Sequence, residues 1–175
     1  MKWDAKIDNA IKKIPDFPKQ GMLYYDISSL LLDADAFGYC IDKLVSLYGG
    51  REFQAIAPVE ARGFLFAAPL AYKLGIPVLL LRKGGKLPRK VTSMSYDLEY
   101  GSATVEVHTE DVPQNGNVLI IDDVLATGGT TRAACDLLRQ SGAVVTDVFA
   151  VIALGFLNFH KKLVDYKVEY FVEYT

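Results

Sequence analysis

Cysteine is scarce in this sequence, and long apolar runs are absent. The chain contains two cysteines in 175 residues. Because Cys40 and Cys135 both fall in apolar, helix-like contexts, we interpret them as reduced packing residues of a cytoplasmic protein and not as catalytic thiols. The start of the sequence, Met1 to Asp4, lacks the apolar core of a signal peptide, and no uninterrupted apolar stretch reaches the length of a membrane span.

Excess charge and two familiar nucleotide-binding motifs are also missing. A formal charge of −2 gives no reason to expect nucleic acid or an anionic membrane as a partner. Neither Gly-x-x-x-x-Gly-Lys-Ser/Thr nor Gly-x-Gly-x-x-Gly occurs, which argues against a triphosphate loop and a dinucleotide fingerprint. The length suits one substantial core, and there is no repeat or linker, so we expect a single domain over residues 1–175.

The most informative stretch runs from Val118 to Thr131. A short apolar run, typical of an inner strand of a parallel sheet, is expected to stop at Asp122. Helical spacing begins at Thr130, so Gly128 and Gly129 lie where a strand turns into a helix N-terminus. The unpaired N–H groups there, the helix dipole and the neighbouring threonine hydroxyls together predict a cradle for a phosphate.

Two carboxylates, Asp122 and Asp123, come directly before this cradle. They would repel a phosphate, so we expect them to serve sugar hydroxyls or the hydration shell of Mg²⁺. A phosphorylated sugar would suit both parts of the stretch, with its phosphate in the cradle and its hydroxyls at the carboxylates. The alternative is a strand ending in a solvated acidic turn with a threonine cap, which explains neither the paired carboxylates nor both glycines.

Apolar periodicity predicts an alternation of strands and helices along the rest of the chain. A first amphipathic helix extends from Trp3 until Pro15 halts it. Strand, helix, strand is the pattern of a right-handed parallel crossover. The remaining predicted elements are strands over Met22–Ile27, Ala55–Val59, Pro77–Arg82, Val144–Leu154 and Val168–Tyr174 and helices over Asp35–Tyr48 and Gly63–Leu74.

A basic segment, Lys83 to Gly101, shows little periodicity before Ala103–His108 alternates as an edge or hairpin strand. A loop of that length inside a compact domain suggests a lid, which we place at 83–103. The whole predicts a doubly wound, mostly parallel α/β fold whose site lies at the carboxyl ends of the strands. Three polar groups that follow predicted strands would converge there: Glu60 to Arg62, Arg82 to Lys86, and Asp122 to Thr131.

These motifs give the chain a resemblance to the type I phosphoribosyltransferases, and among them to the members that act on adenine. The resemblance covers nearly the whole chain, and the order and spacing of its motifs also match. The segments that carry it are Ile14–Gly21, Glu60–Phe64, Arg82–Pro88, Tyr96–Gly101 and Ile121–Thr130.

The resemblance implies transfer of a phosphoribosyl group from phosphoribosyl pyrophosphate to adenine with Mg²⁺, giving AMP and pyrophosphate. Phosphoribosyl contacts are implied for Asp122, Asp123, Ala126, Thr127, Gly128, Gly129 and Thr130, and pyrophosphate contacts for Glu60, Ala61, Arg62, Arg82, Lys83 and Lys86. A cis peptide at Glu60–Ala61 is implied as well. No side chain is implied as a direct metal ligand: pyrophosphate and ribose hydroxyls would hold Mg²⁺, with Asp122 and Asp123 acting through water.

Catalytic and base-binding roles also follow from the resemblance. Glu99 matches the carboxylate that handles the purine proton, and Tyr100 matches a lid residue. In the N-terminal hood, residues 1–30, Tyr24 would stack on the base while the backbone of Leu23 contacts its edge, and Leu157 would pack on the opposite face. From spacing alone, Glu99 fits a solvated turn equally well, and Tyr24 and Leu157 fit ordinary core positions.

Departures from the family pattern cluster near this base pocket. Ala153 stands where glutamate is usual, Asn158–His160 replaces a segment with Gly-Arg, and Tyr25 and Ala61 replace a cation and a serine. Two alternatives to adenine transfer stay open for the function of the chain. It could transfer the group to hypoxanthine, guanine or another purine, or it could be a nucleotide-sensing regulator without catalysis. Family members are commonly homodimers in which the loop near Arg82 reaches the partner's site, so a homodimer is expected.

Overall fold

The structure, a computed structural model, describes residues 3–97 and 101–175. Five α-helices and nine strands are formed over this part of the chain. The helices are α1 (Ala5–Ala10), α2 (Ile27–Leu32), α3 (Ala34–Tyr48), α4 (Gly63–Leu74) and α5 (Gly129–Gln140). The strands are β1 (Lys12–Pro15), β2 (Leu23–Asp26), β3 (Ala55–Pro58), β4 (Arg82–Lys83), β5 (Val91–Asp97), β6 (Ser102–His108), β7 (Asn117–Leu125), β8 (Val144–Leu154) and β9 (Lys167–Tyr174).

A parallel sheet of order β3-β7-β8-β9 forms the centre of the fold. Its inner strands are apolar without alternation because both faces of the sheet are covered, as the sequence predicted. On the far side of β3, Val78 bridges to Ile56 in parallel. The connection after β3 therefore leads to Val78 on one side, whereas the connection after β7 leads to β8 on the opposite side. This reversal of direction opens a crevice at the carboxyl ends of β3 and β7.

The two faces of the sheet carry different layers. Helices α1 to α4 cover one face, where Leu44 and Phe66 are fully buried. Helix α5 and a three-stranded antiparallel sheet of order β4-β6-β5 cover the other, around Val107 and Leu137. Cys40 and Cys135 are buried and free in these two cores, which confirms their interpretation as packing residues. The doubly wound α/β prediction is thereby confirmed.

The first helix is shorter than its sequence pattern predicted. α1 ends at Ala10, Ile11 is extended, and Lys12–Pro15 pairs with β2, so the expected continuation to Ile14 is wrong. The apolar residues of the sequence keep helical spacing as far as Ile14, but the backbone after Ala10 makes other hydrogen bonds. Lys12 N donates to Ser29 Oγ at 2.8 Å, and pairing with β2 takes the place of helical hydrogen bonds over Lys12–Pro15. The six-residue helix α2, capped by Asp26, was not predicted because it is too short to show a period.

Strand lengths also differ from the predictions. The lid prediction over 83–103 included no strand, but β5 occupies Val91–Asp97 and pairs with β6 over seven positions. The predicted strand Pro77–Arg82 is reduced to the bridge at Val78 and to the short β4, which belongs to a different sheet, and Leu80 between them is 42% exposed. β7 does not stop at Asp122 but continues to Leu125, because β8 offers partners as far as Ala153.

Candidate active site

The predicted cradle lies at the junction of β7 and α5. Gly128 adopts a left-handed conformation with φ of +75°, and no side chain of the described residues caps the helix that follows. The first backbone hydrogen bond of α5 runs from Arg132 N to Gly128 O at 2.9 Å. The N–H groups of Gly129, Thr130 and Thr131 therefore precede the first helical bond and can bind an anion.

A second loop, Glu60 to Arg62, follows β3 and lies next to β7. The Glu60–Ala61 peptide is cis, as the resemblance implied. Gly63 packs so closely on β7 that an added Cβ would lie 2.7 Å from the Ile121 carbonyl oxygen. This contact fixes the start of α4 against the strand and places Arg62 beside the paired carboxylates.

The two carboxylates of β7 have different partners. Asp123 is buried and accepts a hydrogen bond from Arg62 Nε, while Asp122 is partly exposed. Although the residue is partly exposed, its carboxyl group is poorly solvated, and this desolvation, followed by the neighbouring charge of Asp123, raises the pKa of the Asp122 carboxyl well above its usual range. Asp123 thus holds Arg62 in place, and Asp122 is the carboxylate suited to the hydroxyl donors of a sugar.

Glu60 forms ion pairs with two cations of the segment that contains β4. Its carboxylate accepts from Lys86 Nζ at 2.6 Å, from the backbone N of Lys83 at 2.7 Å and from Arg82 Nε at 3.1 Å. Burial alone would raise the pKa of Glu60, but these donors lower it to about 2. A cavity of about 300 Å³ adjoins the group and is also lined by Thr130. Two cations and the cradle therefore border one space.

The residues expected to contact a base lie on two separate segments. Leu23 is 49% exposed and Leu157 36% exposed, so neither is an ordinary core residue. The Tyr24 ring contacts Phe17 edge-on with centroids 5.0 Å apart. Tyr24 therefore packs against a neighbouring ring of its own N-terminal segment. The predicted catalytic residues Glu99 and Tyr100 lie outside the described residues.

Two features of the site could not be seen in the sequence. Ala153, at a position where the resemblance implies glutamate, pairs in register with Glu173 of β9, and Glu173 accepts from Tyr170 and contacts His160 Nε2 at 3.4 Å. A carboxylate is therefore present beside Ala153, supplied by the next strand. Lys162 lies next to the cradle, and only its proximity in the fold identifies it.

Over residues 3–97 and 101–175, the helices are too short or too polar to span a membrane.

The site combines three features: an anion cradle at the end of one parallel strand, a cation-bearing loop at the end of its neighbour, and a carboxylate pair between them. Together these features define a phosphoribosyl transferase domain. The family model of that description matches residues 34–173.

More specific likenesses extend over nearly the full chain. The adenine phosphoribosyltransferase of Treponema denticola is 51% identical over 171 residues, which is 98% of this chain and 90% of the relative. The crystal structure of the adenine phosphoribosyltransferase of Thermoanaerobacter pseudethanolicus superposes with a TM-score of 0.91 at 44% identity and covers 97% of this chain and 98% of that one. The chain belongs to the adenine phosphoribosyltransferase family.

A third likeness is to a structure with bound ligands. The adenine phosphoribosyltransferase of Saccharomyces cerevisiae, solved with an imino-altritol bisphosphate and adenine, has a TM-score of 0.88 at 33% identity. It covers 95% of this chain and 96% of that one.

Proposed function

We propose that this protein transfers the 5-phosphoribosyl group of phosphoribosyl pyrophosphate to adenine, forming AMP and pyrophosphate in purine salvage. The observation that carries the proposal is the convergence of the glycine cradle with the cations around Glu60 at neighbouring strand ends. It is supported by family membership and by the adenine bound in the yeast structure.

The cradle takes the 5′-phosphate. Its N–H groups and the hydroxyls of Thr127 and Thr130 are the donors, and Gly128 lets the backbone approach the phosphate closely. Asp122 accepts from the ribose hydroxyls. Because these contacts fix the sugar, C1 is held at the opening of the crevice, where the attacking base and the leaving group must meet in line.

The pyrophosphate leaves toward the cations. Arg62, Arg82, Lys83 and Lys86 neutralise the charge that builds on it as the C1–O bond breaks. Glu60 is an acceptor in the structure, so its part is to hold Arg82 and Lys86 beside the site. The backbone at Ala61 contributes through the loop that it forms with Glu60 and Arg62.

On the opposite side, a purine nitrogen forms the new bond to C1 and the base gives up its ring proton. Glu99 receives that proton, and Tyr100 closes over the substrates. Tyr24 and Leu157 enclose the ring, and the backbone of Leu23 contacts the adenine edge. Excluding water from this space protects the cation-like sugar of the transition state from hydrolysis.

The donor set fits Mg²⁺ only as an ion bound mainly through its substrate. The described residues contain no cluster of three or more His, Cys, Asp or Glu side chains that could hold a metal. Mg²⁺ commonly keeps several waters and binds one or two carboxylates together with substrate phosphates. Asp122 and Asp123 would hold its hydration shell, and the ion would supply charge neutralisation for pyrophosphate.

We also propose a homodimer in the cytoplasm. Support for the dimer comes from exposed apolar side chains on α4 and in the segment that follows it: Tyr72 is 85% exposed, Leu65 46% and Leu80 42%. The free cysteines suit a reducing compartment. A two-chain mass by light scattering at micromolar concentration is expected. A one-chain mass with full activity would refute the dimer.

Initial rates with a panel of bases test the proposed reaction. Purified chain, phosphoribosyl pyrophosphate and Mg²⁺ are mixed with adenine, hypoxanthine, guanine or no base, and pyrophosphate release is followed. Release only with adenine is expected. Release with another purine would keep the mechanism and change the base. Tight binding of phosphoribosyl pyrophosphate without release for any base would favour a nucleotide-sensing regulator.

A further inference from the structure

Lys162 lies beside the phosphate cradle, although it is more than thirty positions away along the chain. A Cβ built on Gly129 would be 3.4 Å from Lys162 Nζ and 3.7 Å from Thr127 Oγ1. The ammonium group and a cradle hydroxyl therefore flank the same point at the start of α5. The side chain of Lys162 is exposed and borders a cavity of about 260 Å³ that Gly129 also lines.

The backbone of Lys162 is held by one hydrogen bond within its own loop and one from the Arg132 side chain of α5. Its carbonyl oxygen accepts from Arg132 Nη1 at 3.0 Å, and its N–H donates to Phe159 O at 3.0 Å. Phe159 is fully buried and supports Gly128, whose added Cβ would lie 3.3 Å from the Phe159 Cβ. The segment is thus packed against the cradle at Gly128 and hydrogen-bonded to α5 at Arg132.

The dipole of α5 disfavours a cation at this position, although the side chain is exposed and Asp97 and Asp136 line the same cavity. The N-terminus of α5 carries the positive end of the helix dipole, which repels an ammonium group. No carboxylate among residues 3–97 and 101–175 lies within ion-pair distance of Lys162 Nζ. The nearby Arg132 is already paired with Asp136 at 2.7 Å. A phosphate in the cradle would satisfy both the free N–H groups and the free ammonium group.

We infer that Lys162 is a phosphate-binding residue of this site, donating to the 5′-phosphate of the phosphoribosyl group and of the AMP product. The inference rests on the proposed function and adds a cationic side chain to a cradle otherwise built from backbone N–H groups and hydroxyls. A charge-assisted hydrogen bond of this kind typically changes affinity by about ten-fold or more.

The test compares a ligand that carries the phosphate with one that lacks it. Dissociation constants for AMP and adenosine are measured for the purified full chain by calorimetry, with competition for the weaker ligand. Lys162→Met should weaken AMP about ten-fold and leave adenosine unchanged. Lys162→Arg should recover most of the AMP affinity. Lys161→Met is the matched control, because Lys161 is also exposed and is adjacent in the chain, and it should change neither constant.

Two results would overturn the inference. AMP affinity unchanged in Lys162→Met would show that the ammonium group does not reach the phosphate. Equal weakening of AMP and adenosine would assign Lys162 a structural role instead, for example through the Asp97 carbonyl oxygen, which also lies near Gly129. Failure of the proposed function is seen separately, because the wild-type chain would then form no AMP from adenine whatever the variants bind.

Discussion

Replacing Glu60 with Gln should measurably destabilise the protein, since its carboxylate is enclosed by cations. The lowered pKa of Glu60, about 2 against an ordinary 4.5, corresponds to roughly 3 kcal/mol. Lys86 and Arg82 are partly exposed, at 47% and 29% of their side chains, and solvent screening reduces the expected loss to about 2 kcal/mol. For a chain of this length the melting temperature should fall by about 4–8 °C.

The pH dependence of this loss follows from the sign of the shift. A carboxyl whose pKa is lowered on folding stabilises the protein above its unfolded pKa, and that stabilisation is lost as pH falls through the folded pKa. The difference between wild type and Glu60→Gln should therefore be complete at neutral pH and shrink between about pH 4.5 and pH 2.

Urea denaturation at several pH values, at one fixed protein concentration, measures both quantities. Glu52→Gln, at an exposed carboxylate, is the control and should have little effect. Equal stability of wild type and Glu60→Gln at neutral pH would refute the view that Glu60 organises the cations. A difference that grows on acidification would refute the assigned direction of the shift.

Three further substitutions address the cradle, the carboxylate pair and the proton transfer. Gly128→Ala should cost about 1–2 kcal/mol of stability through backbone strain at φ of +75° and should raise KM for phosphoribosyl pyrophosphate. Gly50→Ala, at φ of +84° with open space around it, is the control and should cost stability alone. Equal KM values in the two variants would contradict the role of Gly128 in the cradle. Asp123→Asn should lower kcat/KM by about ten-fold or more, since it leaves Arg62 without its charged partner, and wild-type kinetics would show that this pair is dispensable. Glu99→Gln should mainly reduce kcat in steady-state assays, and unchanged rates would disprove its role in proton transfer.

The parts of the fold that the sequence predicted are those encoded by neighbouring residues. The cradle was predicted because its glycines and threonines are adjacent and the flanking periods change there. The inner strands were predicted because burial on both faces makes them continuously apolar.

The features missed are those decided by contacts between distant segments. β5 forms because β6 lies opposite it, and β1 replaces the last turn of the first helix because β2 pairs with it. The carboxylate beside Ala153 depends on the register between β8 and β9, which places Glu173 opposite it. Lys162 likewise reaches Gly129 only through the folded chain.

The stoichiometry of the two products tests the central claim most directly. The wild-type chain is incubated with adenine, phosphoribosyl pyrophosphate and Mg²⁺, and AMP and pyrophosphate are quantified in the same sample over time. Equimolar AMP and pyrophosphate, both dependent on adenine, are predicted. Pyrophosphate without AMP would indicate hydrolysis of the sugar phosphate, and the absence of both products would contradict the assignment of this site to phosphoribosyl transfer.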